Sequence, residues 1–146
     1  MKIAIGNDHS AVDFKNQIVS FLESEGHEVL NYGTNESCSV DYPVYAKKVC
    51  EAVLDNEADF GILICGTGIG ISIAANKVKG IRAALLYNEY SARLTKMHNN
   101  ANVIAFGARV MGIDLAISCI KAYMQAEFEG GRHKRRVDML EEGCGC

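Results

Sequence analysis

The segment Phe60-Gly61-Ile62-Leu63-Ile64-Cys65-Gly66-Thr67-Gly68-Ile69-Gly70 carries two kinds of structure end to end. Phe60 to Ile64 is an unbroken apolar run without the alternation of a half-exposed strand, which suits a central strand of a parallel sheet covered on both faces. It stops at a glycine-rich turn, and Ile71 to Val78 reads as a helix. Such a turn between a buried strand and a helix aims several backbone N–H groups at one point, where the helix dipole also favours negative charge. The turn is a candidate anion site. Its spacing is Gly66-x-Gly68-x-Gly70, not the G-x-G-x-x-G of dinucleotide binding, and the G-x-x-x-x-G-K-[ST] of nucleoside triphosphate sites is absent, so a nucleotide is disfavoured.

The flanking sequence repeats the same alternation of strand and helix. Lys2–Gly6, His27–Leu30, Ile81–Leu86 and Val103–Phe106 read as four further strands. Phe14, Ile18, Phe21 and Leu22 recur at helical spacing, and Gly26 closes that helix. Asp41 and Pro43 suit the cap and first turn of a helix carrying Tyr45, Val49 and Val53. Tyr90–His98 and Ile113–Ala126 complete the set, the last with Leu115, Cys119 and Tyr123 on one face. The expectation is an α/β fold with a five-stranded parallel sheet, helices on both faces through right-handed crossovers, and a C-terminal helix and tail. Ligands of such sheets collect at the carboxyl ends of the strands, where Asp8, His9, Cys65 to Gly70 and Arg109 fall.

The 146 residues suit one domain, about 141–146 reading as a disordered tail. A net charge of −3 offers no long-range attraction to nucleic acid or an anionic membrane, so an anionic ligand needs a local basic cluster. The opening Met1-Lys2-Ile3-Ala4-Ile5 is interrupted too soon by Asn7-Asp8-His9 to read as a signal peptide, and no apolar run approaches about 18 residues, which points to a cytoplasmic chain. Six cysteines in such a chain read as free thiols, and their spacings fit no structural zinc site; Cys144 and Cys146 read as a frayed end.

Cys65 stands immediately before the glycine turn, where a helix N-terminus favours thiolate, so it is a candidate base or nucleophile, the alternative being a small buried hydrophobe. No arginine follows before Arg82, against a phosphatase loop, and no C-x-x-C partner exists, against thiol redox chemistry. Asp8 and His9 offer proton-transfer groups, metal ligands or, for Asp8, a helix cap. His98 either works in a site or favours a helix C-terminus. Arg132-His133-Lys134-Arg135-Arg136 is the densest basic run; on a helix Arg132 and Arg136 share a face and suit a phosphate, or form a solvated end.

Ile5-Gly6-Asn7-Asp8-His9, Val40-Asp41-Tyr42-Pro43, Ile64-Cys65-Gly66-Thr67-Gly68-Ile69-Gly70-Ile71-Ser72 continuing to Ala74-Ala75-Asn76-Lys77, His98-Asn99 and Gly130-Gly131-Arg132-His133 together resemble ribose-5-phosphate isomerase type B. The resemblance runs in order to about residue 140, and the galactose-6-phosphate isomerase subunits belong to the same wider family. It implies a Rossmann-like fold, interconversion of ribose 5-phosphate and ribulose 5-phosphate through a cis-enediolate, no metal or organic cofactor, and a homodimer, or a tetramer built from dimers, with sites shared between subunits. Cys65 would be the base, Thr67 its assistant, and the N–H groups of Gly66, Gly68, Ile69 and Gly70 the oxyanion donors. Asp8 and His98 would open the sugar ring, Asn99 would handle sugar protons with Asp8, and Tyr42 would line the sugar site. His9, Arg109, Arg132 and Arg136 would hold the phosphate.

Two features depart from the family pattern: Ser10-Ala11 stands where a glycine pair is frequent, and Glu141-Glu142 precedes Gly143-Cys144-Gly145-Cys146. A six-carbon substrate such as allose 6-phosphate or galactose 6-phosphate is the alternative within the class. A non-catalytic phosphate-binding module is the alternative outside it.

Overall fold

The computed structural model describes residues 1–141. Residues 142–146, with Cys144 and Cys146 and most of the expected tail, lie outside the described residues; Glu141 itself ends a helix. The elements alternate from the start: β1 (Lys2–Asn7), a single 3-10 turn at His9–Ala11, α1 (Val12–Ser24), β2 (Glu28–Asn31), α2 (Tyr42–Leu54), β3 (Phe60–Cys65), α3 (Ile69–Asn76), β4 (Ala83–Leu85), α4 (Glu89–Asn99), β5 (Val103–Gly107), α5 (Ile113–Met124) and α6 (Arg132–Glu141). All strand pairs are parallel, in the order β2-β1-β3-β5-β4.

Side chains that alternate along each strand feed two separate cores, which is why β3 and β5 are apolar throughout and β1 is apolar between Lys2 and Asn7. Ile3, Ile5, Ile62, Ile64, Ile104 and Phe106 face α1, α4 and α5, whereas Ala4, Leu63, Cys65, Val103 and Ala105 face α2 and α3. The second face is built from smaller residues, and α2 lies close upon it: a Cβ on Gly6 would come 2.8 Å from Val49 Cγ2, and one on Gly61 2.6 Å from Val49 Cγ1. In the first core the Tyr123 ring packs 5.0 Å from Phe60, and its hydroxyl donates to the Ala101 carbonyl at 2.6 Å, which satisfies the one polar atom that its burial would strand.

The structure differs from expectation in particular places. Strand β4 is three residues long, not six, because it lies at the sheet edge and the Asn102 side chain, not a strand, accepts the Arg82 N–H at 2.8 Å. Helix α3 begins at Ile69, two residues early, since Gly68 is its left-handed N-cap, and it stops at Asn76, whose side chain turns to bond both the N–H and the carbonyl of Ala83. Asp41 occupies the N-cap position of α2 without a capping side-chain bond. In α5 the buried residues are Ala116, Cys119, Ile120 and Tyr123, while Leu115 is 39% exposed, because the inward stripe turns by one residue relative to a strict four-residue repeat.

The order reverses between β1 and β3, whose following segments leave toward opposite faces of the sheet and so open a crevice at their carboxyl ends. Asp8 and Cys65 flank it directly, Asp8 N–H donating to the Ile64 carbonyl at 3.2 Å.

Candidate active site

Cys65 is the last residue of β3, 5% exposed, with its sulfur accepting the Gly68 N–H at 3.2 Å. The turn closes over the thiol because Gly68 adopts φ +77°, a conformation that a side chain resists, and because Gly68 lies so close to Phe106 that a Cβ would come 2.7 Å from that residue's carbonyl carbon. The first-turn N–H groups of α3 have no carbonyl one turn back and face the same crevice. Thr67 Oγ1 takes one of them, that of Ile69, at 3.3 Å, while the Thr67 carbonyl accepts the Tyr87 hydroxyl at 3.1 Å. The segment after β5 is stitched to this turn, Ala108 N–H donating to the Cys65 carbonyl and Arg109 N–H to the Gly66 carbonyl, each at 2.9 Å. Those two bonds bring the Arg109 side chain against Gly66, within 3.4 Å of where a Cβ would be.

Asp8 is 7% exposed, and its Oδ1 accepts both the N–H of Ser10 at 2.9 Å and the Ser10 hydroxyl at 2.5 Å. Beside it, His9 Nδ1 accepts the Val40 N–H at 3.2 Å, so in the neutral ring the proton is on Nε2, which is left as a donor. The loop that supplies Val40 is held from below: Asn7 Nδ2 donates to the Thr34 carbonyl at 3.2 Å, and the wholly buried Lys15 donates to Asn35 Oδ1. Burial lowers the Lys15 pKa. Tyr42, in the first turn of α2, lays its ring over the start of α3, where a Cβ on Gly70 would meet Cζ at 2.7 Å. Asp8, His9, Tyr42, Cys65 to Gly70 and Arg109 therefore converge at one edge of the sheet.

His98, Asn99, Arg132 and Arg136 do not join them within the chain. Helix α4 leaves β4 at the carboxyl edge and returns antiparallel over its 11 residues, about 16 Å, so its last turn is at the opposite edge. The Arg82 guanidinium, just before β4, bonds the Asn99 and Asn100 carbonyls there and pairs with Glu141. Helix α6 packs on α4 and places Arg136 with His98, Asn99 and His133 around a cavity of about 260 Å³, with Arg132 one turn earlier. The His98 and His133 rings stack with centroids 4.2 Å apart, and Glu129 Oε2 is 3.7 Å from one Nε2 and 3.3 Å from the other. Burial foremost, then the charges of His98, Arg132 and Arg136, lower the His133 pKa against the opposing pull of Glu129.

Sequence reasoning did not assign Ser10, Val40, Glu129 or His133. The Asp8-x-Ser10 spacing of an Asx turn and the four-residue step from Glu129 to His133 were legible signals. Val40 contributes only its backbone N–H and left none.

A glycine cradle for an anion, a thiol at its mouth and a carboxylate beside it, all at the switch point of a doubly wound parallel sheet, define an α/β enzyme that performs proton chemistry on an anionic substrate. The Ribose/Galactose Isomerase family model matches residues 3–140. Ribose-5-phosphate isomerase B of Escherichia coli is 51% identical over 95% of this chain and 93% of its own. The ribose-5-phosphate isomerase B structure from Clostridium thermocellum superposes with a TM-score of 0.96 at 53% identity, covering 97% of this chain and 96% of that one. The Mycoplasma genitalium enzyme with bound ribulose-5-phosphate gives 0.92 at 40% identity, covering 97% and 94%. The chain belongs to the ribose/galactose isomerase family.

Proposed function

We propose that this protein interconverts ribose 5-phosphate and ribulose 5-phosphate, with Cys65 as the base. The observation that carries the reading is the Cys65 thiol at the mouth of a cradle whose Gly68 N–H already points at the sulfur, in a chain similar along its length to ribose-5-phosphate isomerases B. From the open aldose, Cys65 takes the proton on the carbon next to the carbonyl. The carbonyl oxygen becomes the enediolate oxygen, which the N–H groups of Gly66, Gly68, Ile69 and Gly70 and the Thr67 hydroxyl receive. The proton returns to the former carbonyl carbon while the neighbouring hydroxyl loses its own, so that no electrons leave the sugar and no redox partner enters.

Asp8, oriented by Ser10, relays protons between sugar oxygens, and Tyr42 borders the sugar. His9 and Arg109 receive the phosphate. The ring-opening His98, together with Asn99, Arg132 and Arg136, comes from a second copy of the chain, since these four occupy the opposite edge of their own sheet. A twofold pairing then completes two equivalent sites. Ile69 and Ile73, 49% and 55% exposed on the α3 surface beside the cradle, supply apolar area for such a contact.

Initial rates on ribose 5-phosphate, allose 6-phosphate and galactose 6-phosphate with chelator present test the reaction. Preference for the five-carbon sugar, abolished in Cys65→Ala, is the expected result; full activity in Cys65→Ala overturns the base, and a six-carbon preference reassigns the substrate. Stabilisation by the sugar phosphate without turnover would indicate a binding module. Co-refolding inactive Cys65→Ala and His98→Ala chains tests sharing: half the dimers are mixed and hold one intact site, so about a quarter of the wild-type rate returns. No recovery would refute a shared site.

A further inference from the structure

The geometry points to a binding site for one transition-metal cation of the Zn²⁺ or Co²⁺ type at His98, Glu129 and His133, at the opposite sheet edge from the Cys65 cradle of the same chain. One ligand atom from each residue lies within 4.8 Å of the others. Tetrahedral bonds of about 2.0–2.1 Å place neighbouring ligand atoms about 3.4 Å apart. The separations from Glu129 Oε2 to His133 Nε2, 3.3 Å, and to His98 Nε2, 3.7 Å, are already close to that. The adjustment required is a rotation of the two imidazoles out of their parallel stack, so that both nitrogen lone pairs meet at one point between the rings and the carboxylate.

The second observation is His133 itself. Its side chain is 9% exposed, and Nε2 is buried without a hydrogen bond, although Glu129 Oε2 is 3.3 Å away. A buried ring nitrogen left without a hydrogen bond is costly; as a ligand the nitrogen has a partner. Two imidazoles and one carboxylate select Zn²⁺, Co²⁺ or Ni²⁺ over Mg²⁺ or Ca²⁺, which prefer all-oxygen sites. The open fourth position faces the cavity lined by Asn99 and Arg136.

Occupancy of the site ties up the His98 nitrogen, so the metal acts as an inhibitor and not as a cofactor; this consequence rests on the role of His98 proposed above. Co²⁺ titration of the full chain, followed by its visible absorption and by equilibrium dialysis, tests the site. The expected result is one equivalent bound with d–d bands and no thiolate charge-transfer band, and binding weakened more than about tenfold in Glu129→Gln and in His133→Ala. Glu129 is half-exposed, so its variant keeps the fold even if the His133 variant does not. A thiolate band, binding that both variants leave unchanged, or no saturable binding overturns the site. Loss of isomerase rate on Co²⁺ addition, restored by chelator, completes the proposal. Binding at these residues with an unchanged rate leaves the site standing and strikes instead at the role of His98.

Discussion

Replacing Gly68 by alanine probes the cradle where backbone and packing both constrain it. Gly68 has φ +77°, and an added Cβ would lie 2.5 Å from Leu85 Cδ1, 2.7 Å from the Phe106 carbonyl carbon and 2.9 Å from its oxygen. The Leu85 methyl can turn away. Phe106 cannot, since it is backbone of a strand paired on both sides. A left-handed backbone costs a non-glycine residue about 1–2 kcal/mol and forced overpacking about 1–3 kcal/mol, together about 2–5 kcal/mol. Gly26→Ala separates the two: φ is +83° there with no atom within 4 Å of the new Cβ, so it bears only the first cost. At about 2–4 °C per kcal/mol, Gly68→Ala lowers Tm by about 4–20 °C and Gly26→Ala by about 2–8 °C. Moving the Gly68 N–H off the thiol lowers kcat by about 100-fold, the scale of one lost oxyanion donor, while Gly26→Ala leaves it unchanged. Thermal unfolding and the ribose 5-phosphate assay on both variants decide the matter. A Gly68→Ala protein no less stable than Gly26→Ala, with a wild-type rate, would refute the reasoning.

Cys50 and Cys119 are wholly buried, and burial first, then the charges of Glu51 and Glu89 respectively, push both thiols up to about 11. Iodoacetamide on the folded protein should therefore spare both, label the exposed Cys38 and inactivate in step with Cys65, as peptide mapping reads out; early modification of Cys50 or Cys119 would contradict the buried cores. His133 is held below its ordinary value of 6.5 in the folded chain, so the unfolded state binds its proton first as pH falls. Stability should decline below about pH 6.5 and stop declining from this source once pH passes the folded value. Urea midpoints from about pH 7.5 to about pH 5.5 should fall more steeply in the wild type than in His133→Asn, and equal slopes would remove His133 as the cause.

The fold was legible because its signals are local. Phe60 to Ile64 is apolar at every position since both faces of a central strand are covered, and the glycines after it mark a backbone that must turn sharply. Edges and ends were less legible. Strand β4 is shortened by the Asn102 side chain, a partner 20 residues away that no periodicity announces. Candidate residues of the first crevice could be placed from sequence because each follows the end of a strand: Asp8 and His9 after β1, Cys65 at the end of β3, Arg109 after β5. The arrangement around them depended on the tertiary structure. Only there does Val40 fix the His9 tautomer, Ser10 orient Asp8, and Glu129 reach the Nε2 atoms of two stacked histidines. Composition and periodicity thus determined which segments pack, because burial acts on each residue where it stands. The course of α4 decided that His98 and Arg136 lie at the far edge from Cys65, because the position of a side chain in space depends on every crossover that precedes it.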